Sequence, residues 1–452
     1  MMASMSLSQI NSVLAGERFG EDVRFAQVST DTRTLQQGDL YVALVGENFD
    51  GNRFVAQAFE KGACAAIVST QVQASKPLLQ VADTTIALGQ IARLNRQASR
   101  ARVVAVTGSQ GKTTVKEMIA SILSVGHRVL VTRANLNNHI GVPLTLLALG
   151  DEHEYAVVEL GASGLGEIAY SVNLTMPHVA VLTNAAATHI EGFGDVAGVV
   201  RTKGEIIDGL MTGGVAVLNA DDEHFSVWAQ RAQGKRMVSF GLSSQADYYA
   251  SAIRLANDGS SEFTLHGPQL QLDIRLALAG EHNVRNAVAA AAAALAAGAG
   301  DEQVKLGLAR VQPVSGRMNW LRSATGAHLI DDSYNASPSS FRAAIDVLAT
   351  LPGRRILIVG DMGELGAQSE QAHIELGQYA KQNGVHCLWA TGPLCALSAE
   401  AFGEGAHHFA TQDDLLARAQ QELCDGDVAL VKGSRSAAMD RVIEQLKMEE
   451  PA

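Results

Sequence analysis

The stretch that most restricts this chain is Thr107-Gly108-Ser109-Gln110-Gly111-Lys112-Thr113-Thr114, which follows the apolar run RVVAVT (102–107) and precedes a helical segment. Glycines let the backbone curl until consecutive N–H groups point at one spot. The start of the helix adds partial positive charge there, the lysine reaches outer phosphates, and the threonine hydroxyl suits Mg²⁺. The stretch departs from the GxxxxGK[ST] pattern, because Val106 stands where the first glycine belongs. The strand–loop–helix setting still points to a nucleotide phosphate site at the carboxyl end of a parallel strand.

A strand of that kind needs partners, and the chain supplies them. RVLVT (128–132), YAVVEL (155–160), HVAVLT (178–183), GVAVLN (214–219) and RMVSF (236–240) are short, apolar and separated by helix-length segments. That rhythm predicts a doubly wound parallel sheet buried on both faces. Residues 249–279 change to polar–apolar alternation, which predicts antiparallel strands flanking the sheet, and an alanine-rich helix follows His282. A second series, AHLIDD (327–332), RRILIVG (354–360), VHCLWAT (385–391), HHFAT (407–411) and DVALVKG (427–433), predicts a separate, Rossmann-like open sheet. Short strands within LYVALVG, AAIVST and LLQVAD make the first hundred residues a further α/β unit. At roughly 150 residues per domain, 452 residues fit three domains, placed at 1–100, 101–312 and 313–452.

Composition excludes several classes. Lys and Arg total 35 against 47 acidic residues, a net charge of −12, so neither nucleic acid nor an anionic membrane surface is an expected partner. The longest apolar run, 287–297, is far short of the roughly 18 residues that a span needs. The first twenty residues lack a basic segment ahead of an apolar one and read poorly as a secretory signal. Four cysteines without a CxxC pair fit reduced thiols, and the chain is expected in the cytoplasm as a monomer.

Ligands in open parallel sheets gather at the carboxyl ends of strands. Glu159 closes one strand and His189 follows another, so both are candidates to face the phosphates and Mg²⁺, although Mg²⁺ prefers oxygen. Lys203, in VVRTKGEIIDGL, reads on its own as a helix-surface lysine. GASGLGEI (161–168) and VGDMGELG (359–366) do not fit the dinucleotide pattern GxGxxG.

The phosphate loop, LNNHIGVP (136–143), ELGASGLGEI (159–168), NAAATHIEGF (184–193), GEHNVRNAVAA (280–290), SGR (315–317) and LIDDSYNASP (329–338) occur in an order that closely resembles the Mur ligases. These are ATP-dependent amide-forming enzymes of peptidoglycan precursor synthesis with three domains. STDTR (29–33), GDLYVALVGENFDG (38–51), GDMGELG and VKGSRSAAM (431–439) resemble one member type, whose substrates are UDP-MurNAc-tripeptide and D-alanyl-D-alanine. Ser337 departs from the resemblance, because Asn is expected there.

The resemblance implies that Thr107, Gly108, Ser109, Gln110, Gly111, Lys112 and Thr113 hold the ATP phosphates. Thr113, Glu159 and His189 would serve Mg²⁺, and Lys203 would carry a carbamate. Asn286 would contact adenine, Arg317 a phosphate, and Asp332 the ribose. Thr32, Arg33, Asp50, Gly51, Asn137 and Asn138 would contact the UDP substrate. A carbamate needs a neutral amine, and at a lysine's ordinary pKa only about one amine in 2,500 is neutral at pH 7. A nucleotide-driven switch would share the phosphate loop, but it needs neither the C-terminal α/β unit nor the Glu159/His189 pair.

Overall fold

Alternating burial organises the middle of the chain. In the strand Arg102–Thr107, Val103 and Ala105 point into one apolar layer, and Val104 and Val106 point into another. All four are fully buried, so helices must cover both faces of the sheet. Each valine so buried stabilises the fold by about 1.5–3 kcal/mol relative to exposure. The computed structural model describes residues 2–188, 190–256 and 260–448. Among these, the strands form three principal sheets, of five, nine and six strands.

The nine-stranded sheet runs Val129–Val131, Tyr155–Glu159, Arg102–Thr107, Val179–Leu182, Val215–Asn219, Arg236–Gly241, Tyr248–Leu255, Ser261–Gly267 and Leu270–Leu276. The pairs are parallel up to Tyr248–Leu255, and the last two strands are antiparallel, as the alternation predicts. Arg102–Thr107 pairs with Tyr155–Glu159 on one side and Val179–Leu182 on the other. Strand order therefore reverses at this strand, and the phosphate loop leaves its carboxyl end at the point where such sheets open a crevice. The alanine-rich helix Glu281–Ala296 packs against the helix Lys112–Leu123 that follows the loop. Its alanines 287 and 289–294 are fully buried, and their small side chains allow close approach.

The first sheet joins Glu17–Phe19, Leu78–Gln80, Ala65–Val68, Leu40–Val42 and Val28–Ser29, parallel except at the Glu17 edge. LYVALVG is not one strand. The ladder stops at Val42, and Val45–Gly46 instead forms a small hairpin with Phe49–Asp50. The cause is local: the Leu44 N–H turns back to Val42 O (3.0 Å), and Leu44 O accepts from Gly51 N–H (2.8 Å). The helix Thr84–Ala98 then packs this unit onto the middle one. Asn95 Nδ2 donates to Leu146 O and Leu149 O (2.8 Å each), and Arg96 donates to Thr175 O (2.8 Å) and Met176 O (3.0 Å).

The third sheet runs Asn319–Arg322, His328–Asp332, Asp427–Lys432, Arg354–Gly360, Cys387–Thr391 and Ala406–Phe409. Its five expected strands are parallel neighbours, and Asn319–Arg322 adds an antiparallel edge that the sequence did not suggest. The strand ends of this sheet face the phosphate loop. Gln110 Nε2 in the loop donates to Ser337 Oγ (2.9 Å) and to Ser339 Oγ.

Candidate active site

The phosphate loop is held in shape before any ligand enters it. Gly108 sits at φ +149°, and a Cβ there would collide with Thr183 Oγ1. Gly111, at φ +75°, begins the helix Lys112–Leu123, with Asn286 Oδ1 lying where its Cβ would be. The next strand end braces the loop: Thr183 Oγ1 donates to Gln110 O (2.6 Å), Asn184 Oδ1 accepts from Gln110 N–H (2.9 Å), and Asn184 O accepts from Ser109 N–H (3.0 Å). Thr107 Oγ1 donates to Leu160 O (2.7 Å) behind the loop. A cradle braced in this way needs little reorganisation to receive an anion.

Lys112 opens the helix, and its Nζ donates to Gly108 O (2.8 Å) and Ser109 O (3.3 Å). Burial holds its pKa below the ordinary lysine value, the Glu159 carboxylate pulls it upward, and the Arg317 charge lowers it further. Glu159 is buried, as a residue ending an interior strand should be. Its Oε2 accepts from Thr113 Oγ1 (2.9 Å), its Oε1 from Asn137 Nδ2 (2.8 Å), and its own N–H donates to Thr132 Oγ1 (3.0 Å). Thr113 and Glu159 thus set two hard oxygen donors side by side next to the phosphate loop.

The opposite wall comes from the third sheet. Arg317 lies over the Tyr334 ring, 4.4 Å from its centroid. The preceding turn is fixed by Gly316 at φ +75°, whose N–H donates to Asp331 Oδ2 (2.8 Å). Asp332, at a strand end, pairs with Lys432 Nζ at 2.6 Å. Between the walls lies a cleft of about 430 Å³. Ser109 to Thr113, Asn137, Asn138, Glu159, Asn286, Arg317 and Asp332 all line it.

Lys203 lies directly behind the middle-unit wall. Its Nζ donates to Ala162 O (3.3 Å), a cleft-lining residue, and sits 5.4 Å from the centroid of the Phe193 ring. Only 1% of Lys203 is exposed, which rules out a surface lysine. Burial, reinforced by the charge of Lys112 and opposed by Glu167, lowers its pKa to about 7. A signal for this was present: Val199, Val200, Ile206 and Ile207 form the buried stripe of the helix Val196–Asp208, and Lys203 falls on it. His189 lies outside the described residues.

The first-unit candidates are not brought into the cleft. Thr32 Oγ1 donates to Gln57 Oε1 (3.1 Å), and the exposed Arg33 grips Asp31 through Nε (3.0 Å) and a terminal nitrogen (2.7 Å). Asp50 accepts from Asn52 N–H (3.0 Å) and Nδ2 (2.8 Å), which hold its carboxyl below the usual range. Gly51 packs too tightly against Ala43 and Leu44 backbone atoms to carry a side chain. Asn138 Oδ1 accepts from Gly141 N–H (2.8 Å), so it also shapes a helix start.

Sequence reasoning passed over Lys432 and His282. Both line the cleft, and burial holds the His282 imidazole below its ordinary value. Lys432 carries the same signal as Glu159, a charged residue ending an apolar strand. Elsewhere among the described residues, Asp361, His373 and Cys395 cluster within 4.8 Å. Their groups are occupied by one another and by the main chain. His373 Nε2 accepts from Met362 N–H (3.0 Å) while its Nδ1 faces Ser369 O (2.7 Å), and Asp361 Oδ1 accepts from Cys395 N–H (2.8 Å).

Comparison with known proteins supplies a family. The Mur ligase middle domain matches residues 106–294, the Mur ligase glutamate ligase domain matches 316–435, and the Mur ligase family catalytic domain matches 24–118. The UDP-N-acetylmuramoyl-tripeptide–D-alanyl-D-alanine ligase of Escherichia coli K12 is 45% identical over 449 residues, 99% of each chain. A crystal structure of MurF from Acinetobacter baumannii superposes with a TM-score of 0.93 at 37% identity, covering 98% of this chain and 99% of that one. MurF of Thermotoga maritima, solved in complex with ADP, gives a TM-score of 0.83 at 27% identity, covering 93% and 96%. No helix among the described residues is long and apolar enough to cross a membrane.

Proposed function

The chain belongs to the Mur ligase family, and on that premise we propose that it joins the terminal carboxylate of UDP-MurNAc-tripeptide to the amine of D-alanyl-D-alanine, consuming ATP, in the cytoplasm. The observation that carries this reading is one cleft lined from two units. A phosphate loop with Lys112, Thr113 and Glu159 stands on one side, and Arg317 and Asp332 stand on the other. Both walls belong to one chain, which supports a monomer as the working form. We assign UDP-substrate recognition to residues 1–100, ATP to 101–312, and dipeptide and further ATP contacts to 313–452. Thr32, Arg33, Asp50, Gly51, Asn137 and Asn138 are the candidates on the UDP-substrate side.

The peptide carboxylate attacks the γ-phosphorus of ATP, giving an acyl phosphate and ADP. The dipeptide amine then attacks the acyl carbon, and phosphate leaves. Two anions must approach each other in the first step, so positive charge in a water-poor cleft is the main requirement. The loop from Gly108 to Thr113 cradles the phosphates through the N–H groups at its helix start, and Lys112 swings from its loop carbonyls onto the outer phosphates. Arg317 approaches a phosphate from the third unit. Asn286 and Asp332 hold the nucleoside, at adenine and ribose respectively.

The Thr113 hydroxyl and Glu159 carboxylate fit Mg²⁺, a hard cation that takes oxygen ligands, and His189 is the candidate for a second metal. Bound there, Mg²⁺ would draw charge from the transferring phosphoryl group. Lys203 fits a carbamate, because a buried amine with a pKa of about 7 is about half neutral at pH 7 and can add CO₂ with loss of a proton. The Lys112 charge nearby favours the resulting anion over an ammonium.

Tripeptide labelled with heavy oxygen in its terminal carboxylate tests the chemistry. One labelled oxygen appearing in the released phosphate is expected, because the carboxylate oxygen becomes the bridge. Phosphate free of label would exclude an acyl phosphate.

A further inference from the structure

Asp331 and Asp332 are adjacent carboxylates with different destinations. Asp331 is only 3% exposed and is consumed by structure: Oδ2 accepts from Gly316 N–H (2.8 Å), and Oδ1 accepts from Ser333 N–H (3.1 Å) and Ser333 Oγ (2.5 Å). Asp332 faces the cleft. Its Oδ1 accepts one bond, from Met318 N–H (3.2 Å), and its Oδ2 accepts one from Lys432 Nζ (2.6 Å). An ionised carboxylate offers about four lone-pair sites, so each oxygen of Asp332 keeps capacity for a ligand.

Lys432 is placed to make that capacity directional. It stands opposite Asp332 in the register of two parallel strands that end at the cleft. Its side chain is 3% exposed against 14% for Asp332, so the pair is shielded from water and the ammonium has little freedom. A second N–H donates to Asn335 O (2.8 Å), and Nζ lies 5.5 Å from the centroid of the Phe341 ring. One ammonium therefore fixes both the carboxylate and the 333–337 turn that leads to Ser337, where Gln110 of the phosphate loop bonds.

We infer that Lys432 is a positioning residue for the nucleotide: it holds Asp332 at the angle at which its free lone pairs accept the ribose hydroxyls, and so determines discrimination for those hydroxyls. The inference rests on the reading of Asp332 as the ribose contact. A carboxylate gripped by a buried ammonium keeps its orientation. Without that partner it must find another donor or rotate, and its acceptor geometry toward the nucleoside is lost.

The test compares kcat/KM for ATP with kcat/KM for 2′,3′-dideoxy-ATP in the full-length enzyme. Hydrogen bonds from hydroxyls to a charged acceptor give an expected wild-type preference of about tenfold or more for ATP. Lys432→Gln should erase most of that preference by lowering activity with ATP far more than with the dideoxy analogue. A purely structural role would lower both alike and leave the ratio unchanged, and that result would overturn the inference. Asp332→Asn separates the two levels. If it keeps the full preference, Asp332 is not the ribose contact and the underlying reading fails. If it loses the preference while Lys432→Gln retains it, only the role of Lys432 fails. Should Lys432→Gln not fold, Lys432→Arg, which keeps the charge and changes the donor geometry, carries the test. A reduced preference for ATP supports action through Asp332, and the full wild-type preference overturns it.

Discussion

The two walls of the cleft solve the same problem by different means. On the middle-unit wall the phosphate site is mostly main chain, with Gly108 and Gly111 at positive φ, a helix start, and a loop whose Gln110 carbonyl and N–H are held by Thr183 and Asn184. On the third-unit wall it is side-chain charge held by other side chains, Arg317 over Tyr334 and Asp332 paired with Lys432. A main-chain cradle has to be written contiguously in sequence. A charge pair needs only register between distant strands, and Asp332 and Lys432 lie a hundred residues apart.

That contrast explains what could be read beforehand. The parallel sheet, its antiparallel flank and the phosphate loop at a strand end follow from apolar runs and glycine positions, which act locally. The strand order that puts the loop at a reversal is set by pairing between distant runs. Glu159 was visible because it ends an apolar strand of the same sheet as the phosphate loop, where ligands of open parallel sheets gather. Lys432 sits in the same kind of position, but its role depends on Asp332 across a strand pair. Lys203 reads as a surface residue until its place on the buried stripe beside Val199 and Ile207 is noticed. In the first unit no such help exists, because Asp50 and Gly51 have turn-building jobs that equally explain their presence.

If the main-chain wall carries the transfer step, Lys112 is the place to break it. Lys112→Ala leaves the cradle intact and should lower the ligation rate by about 10²–10³ in a folded protein, measured as phosphate release at saturating substrates. Near-wild-type turnover would remove the loop from the mechanism. Activity should also require Mg²⁺ or Mn²⁺, with Glu159→Ala more damaging than His189→Ala, because a hard cation prefers the carboxylate. Full activity in excess EDTA would contradict this, and the opposite ranking would reverse the ligand assignment.

Behind the same wall, Lys203→Ala should cost about 10–100-fold, the usual range for a group that orients a metal ligand. Acetate or formate should restore part of it. The sign of the pH effect follows from the depressed pKa. The amine is neutral above about 7 and protonated below, so wild-type activity should fall as pH drops through that value. The acetate-rescued variant, which has no amine to titrate there, should lack that inflection. Indifference of Lys203→Ala to added carboxylates would count against the carbamate.

On the side-chain wall, the link to the phosphate loop should be the mildest to lose. Ser337 caps the helix Pro338–Ala349 and also receives Gln110. Ser337→Ala should therefore cost about 1 kcal/mol of stability by denaturant titration, the typical value of an N-cap. Ser339→Ala, which spares the cap, should only raise the KM for ATP by about fivefold, equivalent to one neutral hydrogen bond. A large loss of kcat in Ser339→Ala would mean that the link between walls takes part in the chemical step.

The most direct test of the central claim, that both walls serve one ligation, is phosphate release from ATP measured with each substrate omitted in turn. The account predicts sustained release only when UDP-MurNAc-tripeptide and D-alanyl-D-alanine are both present, with one peptide product per phosphate. Sustained release with either substrate alone, or release without a joined product, would contradict it.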